Sequence, residues 1–529
     1  MTSRIAAPLA GIAAGSVTLG LAEILALLMK RADSAGGTPS PLLAVGGGFV
    51  DRTPPWLKDF AVATFGTNDK IALFVGMGMT LLIACAILGV IATKKRQIGL
   101  GLYALVGIVG SAAVLNRPGS AAFDAAPTVV GTLAGLGVLA WLAQGAARTG
   151  SAAGAAATDD PIADRAAPTR RGVLAWGSGL TVLGAVGMYV GRTMGDAQQA
   201  VQVARERVTE RFAESRASAT SAPGFTIPAD ADFEIDGLAS YISPNDNFYR
   251  IDTALSVPQI DPGSWSIRVH GMVDQEVEMT YDELLDEDLI ETAVTLTCVS
   301  NTVGGELIGN AVWTGWPIRE LLARAGVQSG ADMVLSTSSD GWTAGTPIEA
   351  LTDDRDAIFA VLMNDEPLPA QHGFPVRMVV PGLYGYVSAT KWVVDLKVTR
   401  YADDEAYWTP RGWTAKGPIK VQSRIDVPSS GGDVQAGAAV IAGVAWDQHT
   451  GIEKVEVQVD DGDWQEAELS GEVSVDTWRQ WRLAWDAAAG DHTITVRATN
   501  QDGETQTKEK ANPAPSGATG WHSINVTVA

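Results

Sequence analysis

The chain has 529 residues, 38 of them Lys or Arg against 60 Asp or Glu, for a formal charge of −22, yet 46% of its residues are hydrophobic. Such acidity excludes a general nucleic-acid binder, and two cysteines, Cys85 and Cys298, exclude a disulfide framework and any multi-cysteine zinc or iron–sulfur site. A composition both apolar and acidic implies an apolar half joined to an acidic half, with room for about three or four domains.

Residues 1–194 predict a transmembrane region of five spans. Ile5–Met29, Ile71–Thr93, Ile98–Leu115, Ala126–Gln144 and Gly172–Met194 each approach the ~20 apolar residues that cross a hydrocarbon core, and their glycines and alanines suit close helix packing. Lys94-Lys95-Arg96 and the group Arg148, Arg165, Arg170 and Arg171 stand in two loops that the positive-inside rule assigns to the cytoplasm. Everything after the fifth span is then extracytoplasmic, and Lys30, Arg31, Arg52 and Lys58 fall in the longer outer loop against the rule. The predicted location is the cell membrane, multi-pass. Thr169-Arg170-Arg171-Gly172 before a moderately apolar stretch resembles a twin-arginine signal kept as an anchor. Glu23 lies inside the first span, where we favour a carboxyl neutralised by a neighbouring helix or sitting near the outer interface over a functional one. All five histidines lie in the second half, so the bundle is expected to be an anchor or partner dock without haem.

Residues 195–224 predict an amphipathic stalk, with Val201, Ala204, Val208 and Phe212 at helical spacing, closing in a Ser/Ala/Pro/Gly linker. Residues 225–427 mix short strands with helical pieces at Tyr281–Leu289 and Ile318–Ala325, an α+β pattern with neither a P-loop nor a dinucleotide fingerprint. Residues 428–529 are strands only. Val455, Val457 and Val459, then Ile494, Val496 and Ala498, then Ile524, Val526 and Val528 alternate with polar residues around turns at Asp461-Gly462 and Asp502-Gly503. That reads as an immunoglobulin-like antiparallel sandwich for support or dimerisation.

Chemistry in the outer half has one thiol to use. Cys298 follows an apolar strand and precedes a turn containing Gly304, Gly305 and Gly309. A thiolate there is either a nucleophile, which needs a base at hand, or a soft metal ligand. A lone cysteine is more often a small buried hydrophobe. A metal already chelated by an organic cofactor needs only one protein ligand, so the second reading asks least of the sequence.

The segment Thr297-Cys298-Val299-Ser300-Asn301, continuing to Gly309-Asn310-Ala311-Val312-Trp313-Thr314-Gly315-Trp316-Pro317, resembles the molybdenum-cysteine segment of the sulfite oxidase family of molybdopterin enzymes. Asn245-Asp246-Asn247-Phe248-Tyr249-Arg250, the run Met363 to Pro369 leading to His372-Gly373-Phe374-Pro375-Val376-Arg377, and Gly385 to Trp392 are similar to further family motifs in the same order. Joined to the N-terminal five-helix transmembrane bundle read above, the resemblance implies a multidomain protein with an α+β molybdopterin domain of sulfite-oxidase type and a C-terminal immunoglobulin-like dimerisation-type domain. It implies a molybdenum–molybdopterin cofactor with Cys298 as metal ligand; no haem is expected in this chain, which has no CxxCH and no histidine-bearing module left over. Asn247, Tyr249, Arg250, Asp340, His372, Arg377, Ala389, Thr390 and Lys391 would hold the pterin and its phosphate, and Cys298 and Arg250 would be catalytic. Trp313, Arg411 and Trp413 are candidates for the entrance. Each has an ordinary alternative: Arg250 and Lys391 as surface charges, His372 as a turn cap, Asp340 before Gly341 as a β-turn residue.

The departures concern the substrate. Where the family has an arginine shortly after the cysteine, this chain has Thr302 and Val303, and the family's histidine two places after Arg250 is Asp252. Losing a cation and gaining an anion weakens binding of a dianion, one charge contact being worth roughly 1–3 kcal/mol. The expected function is oxidation of sulfite or a related small oxyanion by oxygen-atom transfer, with electrons passed to a separate cytochrome or membrane redox protein; a homodimer is also foreseen. A molybdopterin sulfoxide or N-oxide reductase is the alternative, and a non-enzymatic membrane-tethered binding protein the second.

Overall fold

The computed structural model describes residues 3–32, 34–35, 37–54, 57, 64, 69–117, 119–151, 169–193, 196–218 and 226–529. The chain divides into two compact units, Met1–Asp196 with Ala254–Ser256, and Ala197–Thr253 with Val257–Ala529.

The first unit is helical: Ser3–Arg31, Pro41–Arg52, Asp69–Lys94, Arg96–Leu115, Ala126–Ser151 and Arg170–Thr193. Five segments, Ile5–Lys30, Ala72–Lys94, Arg96–Leu115, Ala122–Ala147 and Arg171–Tyr189, are long and apolar enough to cross a membrane. They coincide with the five predicted spans; Met194, the expected end of the fifth, and Arg165 lie outside the described residues. The first helix packs against the others because it carries almost no side chain at the crossings. A Cβ on Gly11 would meet the Cys85 carbonyl, and one on Gly20 the Gly184 carbonyl, so only glycine permits these approaches. Helix Pro41–Arg52 was not foreseen: its apolar run is too short for a span. Its N-cap, Ser40, donates to the carboxylate of buried Glu23 at 2.7 Å. Glu23 thus has a hydrogen-bond partner at the end of a neighbouring helix.

The second unit takes in helix Asp196–Ser218 from Ala197 onward, and this helix is no free stalk. Val201 and Val208 are buried in the α+β core and Ala204 and Phe212 pack beside them, so the thin apolar stripe is a docking face. The linker expected after it lies at residues 219–225, outside those described.

The strands are β1 Ser266–Gly271, β2 Val277–Thr280, β3 Ile290–Thr297, β4 Ile308–Pro317, β5 Met333–Ser338, β6 Thr343–Pro347, β7 Ile358–Met363, β8 Glu366–Pro367, β9 Arg377–Val379 and β10 Val393–Thr399. They form one sheet in the order β2-β1-β10-β5-β6 and another in the order β3-β4-β7-β8, with β9 paired to β7. β3 and β4 are buried almost throughout, their polar Thr295, Thr297 and Asn310 included, so they sit within the domain. Helix Ile318–Ala325 has the predicted bounds. Ile318, Leu321, Leu322 and Ala325 are fully buried, and Gly326 ends the helix in the left-handed region at φ 70°. The other predicted helix stops at Leu285 instead of Leu289; Thr280 and Glu283 box its start, and β3 claims the chain from Ile290.

β11 Gln422–Val427, β12 Asp433–Val434, β13 Gly437–Trp446, β14 Ile452–Val459, β15 Gln465–Glu466, β16 Glu468–Leu469, β17 Arg479–Ala487, β18 Gly490–Asn500 and β19 His522–Val528 make the sandwich, with sheets β11-β13-β17-β16 and β12-β19-β18-β14-β15. The alternating residues read from the sequence, among them Val455, Val457, Ile494, Val496 and Ile524, fill its interior around Trp481.

Candidate active site

β3 and β4 are antiparallel neighbours whose register ends at Thr297 opposite Ile308, leaving residues 298–307 as the turn between them. Cys298 is the first residue of that turn. Its N–H donates to the Leu307 carbonyl at 3.0 Å, and the Asn301 amide oxygen accepts from the Leu307 N–H at 2.9 Å, bracing the turn from inside. The thiol is 9% exposed and faces a cavity of about 960 Å³, counting its open mouth. Burial pushes the free thiol's pKa up, against weaker hydrogen bonding at Ser300, so the free thiol is protonated at neutral pH.

Tyr249, Asp340, His372, Arg377, Ala389 and Lys391 line the same cavity as Cys298. Three other candidates do not. Asn247 is exposed; Thr390 is buried with its hydroxyl 2.7 Å from that of Ser336; Arg250 stands just outside, its Nε on Asp252 at 2.9 Å. For Asn247 and Thr390, then, the side chain has no direct role in the cavity wall. Asp340 is a turn residue, its carboxylate accepting from the Trp342 N–H across Gly341, and it also lines the cavity. Of the entrance candidates, Trp413 lines the cavity, Arg411 stacks on Tyr407, and Trp313 is wholly buried between Phe248 and Arg377.

The cationic side is formed at the ends of short elements. His372 ends a 3-10 turn, Ala370–His372, and its Nε2 lies 3.2 Å from the Asn245 carbonyl. Burial, and then Arg377 and Lys391, push its pKa down to about 3, so the ring is neutral and Nε2–H donates. Arg377, at the start of β9, donates to the His372 carbonyl at 3.1 Å, and burial brings its pKa down to about 10. Lys391 is brought down to about 8, again by burial first, despite the Asp252 carboxylate 2.8 Å from its Nζ. Positive charge is therefore crowded and poorly solvated here, a state that a bound anion relieves.

Asp252 bridges Lys391 and Arg250 with its side chain 5% exposed. The sequence marked it as a departure but did not show that it would neutralise two candidate ligands. Phe248, Trp342, Tyr386, Trp392 and Trp408 also line the cavity. They were missed because single aromatics far apart in sequence look like core residues. Phe248 and Trp392 did lie inside the motifs quoted above, and in the fold a Cβ on Gly309 would come within 2.8 Å of the Phe248 ring, so the glycine leaves the ring its place.

Among the described residues no three or more His, Cys, Asp or Glu side chains converge as a metal site. Cys298 thus offers a metal one soft donor, and the remaining donors must come with the metal. A lone sulfur beside buried Arg377, Lys391 and neutral His372 fits a metal carried on an anionic chelate. Such a fold and site define a molybdopterin-binding oxidoreductase domain, and residues 254–408 match the oxidoreductase molybdopterin binding domain. Residues 422–496 match the bacterial Ig domain. Mitochondrial sulfite oxidase of Mus musculus is 30% identical over 303 residues, 48% of this chain and 55% of that protein; the Homo sapiens enzyme is 29% identical over 306 residues, 49% and 55%. The NADH nitrate reductase of Solanum lycopersicum is 35% identical over 178 residues, 28% of this chain and 19% of that one. The crystal structure of the sulfane dehydrogenase SoxCD from Paracoccus pantotrophus aligns at 22% identity over 59% of this chain and 88% of that one, with a TM-score of 0.47. Residues 254–408 are thus an oxidoreductase molybdopterin binding domain, in a chain similar in sequence to sulfite oxidases. It spans about half the length of the curated relatives it matches.

Proposed function

We propose that this chain is a membrane-anchored, extracytoplasmic molybdopterin oxidoreductase that catalyses oxygen-atom transfer. The observation that carries the reading is the convergence of one buried thiol with Arg377, His372 and Lys391 on a single cavity. Cys298 would hold the metal through its sulfur, and Arg377, Lys391 and the His372 Nε2–H side would hold the anionic end of the pterin, with Asp340 accepting from pterin N–H groups. When bound, the cofactor supplies two-electron oxygen-atom transfer. Tyr249, Phe248 and the tryptophans keep bulk water from the thiol. The outward orientation is supported by Lys94-Lys95-Arg96 and by Arg148, Arg165, Arg170 and Arg171 in the loops taken as cytoplasmic, and by the twin-arginine resemblance. Residues 1–194 would serve as anchor and 195–224 as docked helix and linker; the catalytic domain would end before 422 instead of at 427, because β11 already belongs to the sandwich.

Sulfite or a related small oxyanion is the leading substrate, because two of the relatives named above, each similar over about half of this chain, are sulfite oxidases. Electrons would leave to a separate cytochrome or membrane redox protein. One observation favours the reverse reaction on a neutral sulfoxide or N-oxide: Asp252 already occupies Lys391 and Arg250, and Trp342, Trp408 and Trp413 wall the cavity. Purified native chain should contain about one molybdenum per protein. Its turnover of sulfite with ferricyanide, set against methionine sulfoxide with reduced viologen, divides the two substrates. A chain free of molybdenum would leave only the tethered binding protein.

A further inference from the structure

The strand and turn that present Cys298 are tied down by the C-terminal sandwich. Gln448, 3% exposed in the loop after β13, donates its side-chain amide to the Thr295 carbonyl at 2.8 Å and to the Thr297 hydroxyl at 3.1 Å. Thr297 is the residue immediately before the cysteine. The Trp478 N–H donates to the Thr295 hydroxyl at 2.7 Å, and the Thr295 N–H donates to the Asp476 carbonyl at 3.0 Å. On the other limb of the turn, Arg424 of β11 donates to the Gly305 carbonyl at 3.0 Å while its Nε holds Asp426. The His522 ring fills the space where a side chain on Gly304 would stand, and Gly304 is left-handed at φ 75°.

A domain that served only to join or to dimerise would have no need to pin residues on both sides of the thiol. Short turns with one free limb sample several directions, and a metal ligand must be held to a fraction of an ångström. We infer that the sandwich is a working part of the catalytic site: Gln448 and Arg424 are positioning residues that fix the direction in which Cys298 offers its sulfur. The inference rests on the reading of Cys298 as the metal ligand.

The test uses the full chain as wild type, Gln448→Leu, Arg424→Met, Arg424→Lys and Thr477→Val. The last is the control: Thr477 ties the sandwich to the Tyr241 hydroxyl at 3.0 Å without touching the cysteine turn. The first measurement is the rate at which iodoacetamide alkylates Cys298 in cofactor-free protein, read by peptide mass so that Cys85 is separate. Gln448→Leu and Arg424→Met should each speed it by about fivefold or more, as expected when one buried hydrogen bond no longer holds the turn shut. Arg424→Lys should return towards the wild-type rate, and Thr477→Val should stay near it. The second measurement is the Mo(V) paramagnetic resonance spectrum of loaded protein, whose g values should move in the two disruptive variants and hold in the control. Unchanged alkylation and spectra in both variants, or the same changes in Thr477→Val, would overturn the inference. Should Gln448→Leu fail to fold, Gln448→Asn withdraws the amide by one methylene and is judged by the same comparison. Absence of molybdenum from wild type would instead strike the ligand reading, while the alkylation rates would still report whether the sandwich holds the turn.

Discussion

Among single residues, Cys298 bears the most weight. Replacing its sulfur with oxygen in Cys298→Ser leaves the turn's backbone hydrogen bonds in place but substitutes a hard, weak donor for a soft one. Thermal unfolding should shift little and turnover should vanish; full activity would contradict the ligand role. Asp252 is the second. Asp252→Asn keeps the shape but removes the charge that occupies Lys391 and Arg250, so sulfite KM should fall roughly tenfold, one charge contact's worth. An unchanged sulfite KM would show that neither cation faces the substrate. Lys391 gives a pH signature with a definite sign. Its folded pKa, about 8, lies below the ordinary 10.5, so between those values the unfolded chain binds a proton that the folded chain does not. Stability of cofactor-free protein therefore rises with pH across that window, whereas affinity for phosphate, which needs the ammonium, falls above pH 8. Calorimetric titration with inorganic phosphate at pH 7 and pH 9.5 checks the second half.

At the level of elements, the helix Ile318–Ala325 and the strand β3 show how far local pattern reaches. The helix is legible because its apolar residues recur at helical spacing and a glycine follows it; Leu321→Ala should cost about 2–5 kcal/mol and lower Tm accordingly. β3 is legible as a strand but not as an interface, because Thr295 and Thr297 look like ordinary β-branched residues until Gln448 and Trp478 are seen to bond them. Between β13 and β14, His449 lies 2.9 Å from Asp476, whose hydrogen bond raises the imidazole pKa. A raised folded pKa means that the pair stabilises fully below the unfolded value of 6.5 and loses that contribution as pH climbs through the folded one. The Tm gap between wild type and His449→Gln should accordingly be wider at pH 6 than at pH 9; an equal gap would remove the pair from the stability of this corner. The helix Asp196–Ser218 carries a lesson about reading stripes: Val201, Ala204, Val208 and Phe212 were correctly seen as one face, yet a thin face meant docking onto the domain instead of an isolated stalk.

For the whole molecule, targeting is the property to test. If the folded, cofactor-loaded outer half is exported through the twin-arginine route, Arg170-Arg171→Lys-Lys should abolish its appearance outside the membrane, by protease accessibility in intact cells; undiminished export would leave the enzyme but remove that route.

The sequence by itself determined the five apolar helices, the alternating strands of the sandwich, the family motifs and the one thiol available to a metal, because hydropathy period, turn residues and residue type are local quantities. Only the tertiary structure decided that Asp252 would bridge Lys391 and Arg250, that Trp342 and Trp408 would join Trp413 at the cavity, and that residues 424 and 448 would hold the turn around residue 298. Lys391 stands 139 positions from Asp252 and Arg424 stands 119 from Gly305, and nothing in a side chain's neighbours along the chain records which distant group will fill its hydrogen bond or share its charge.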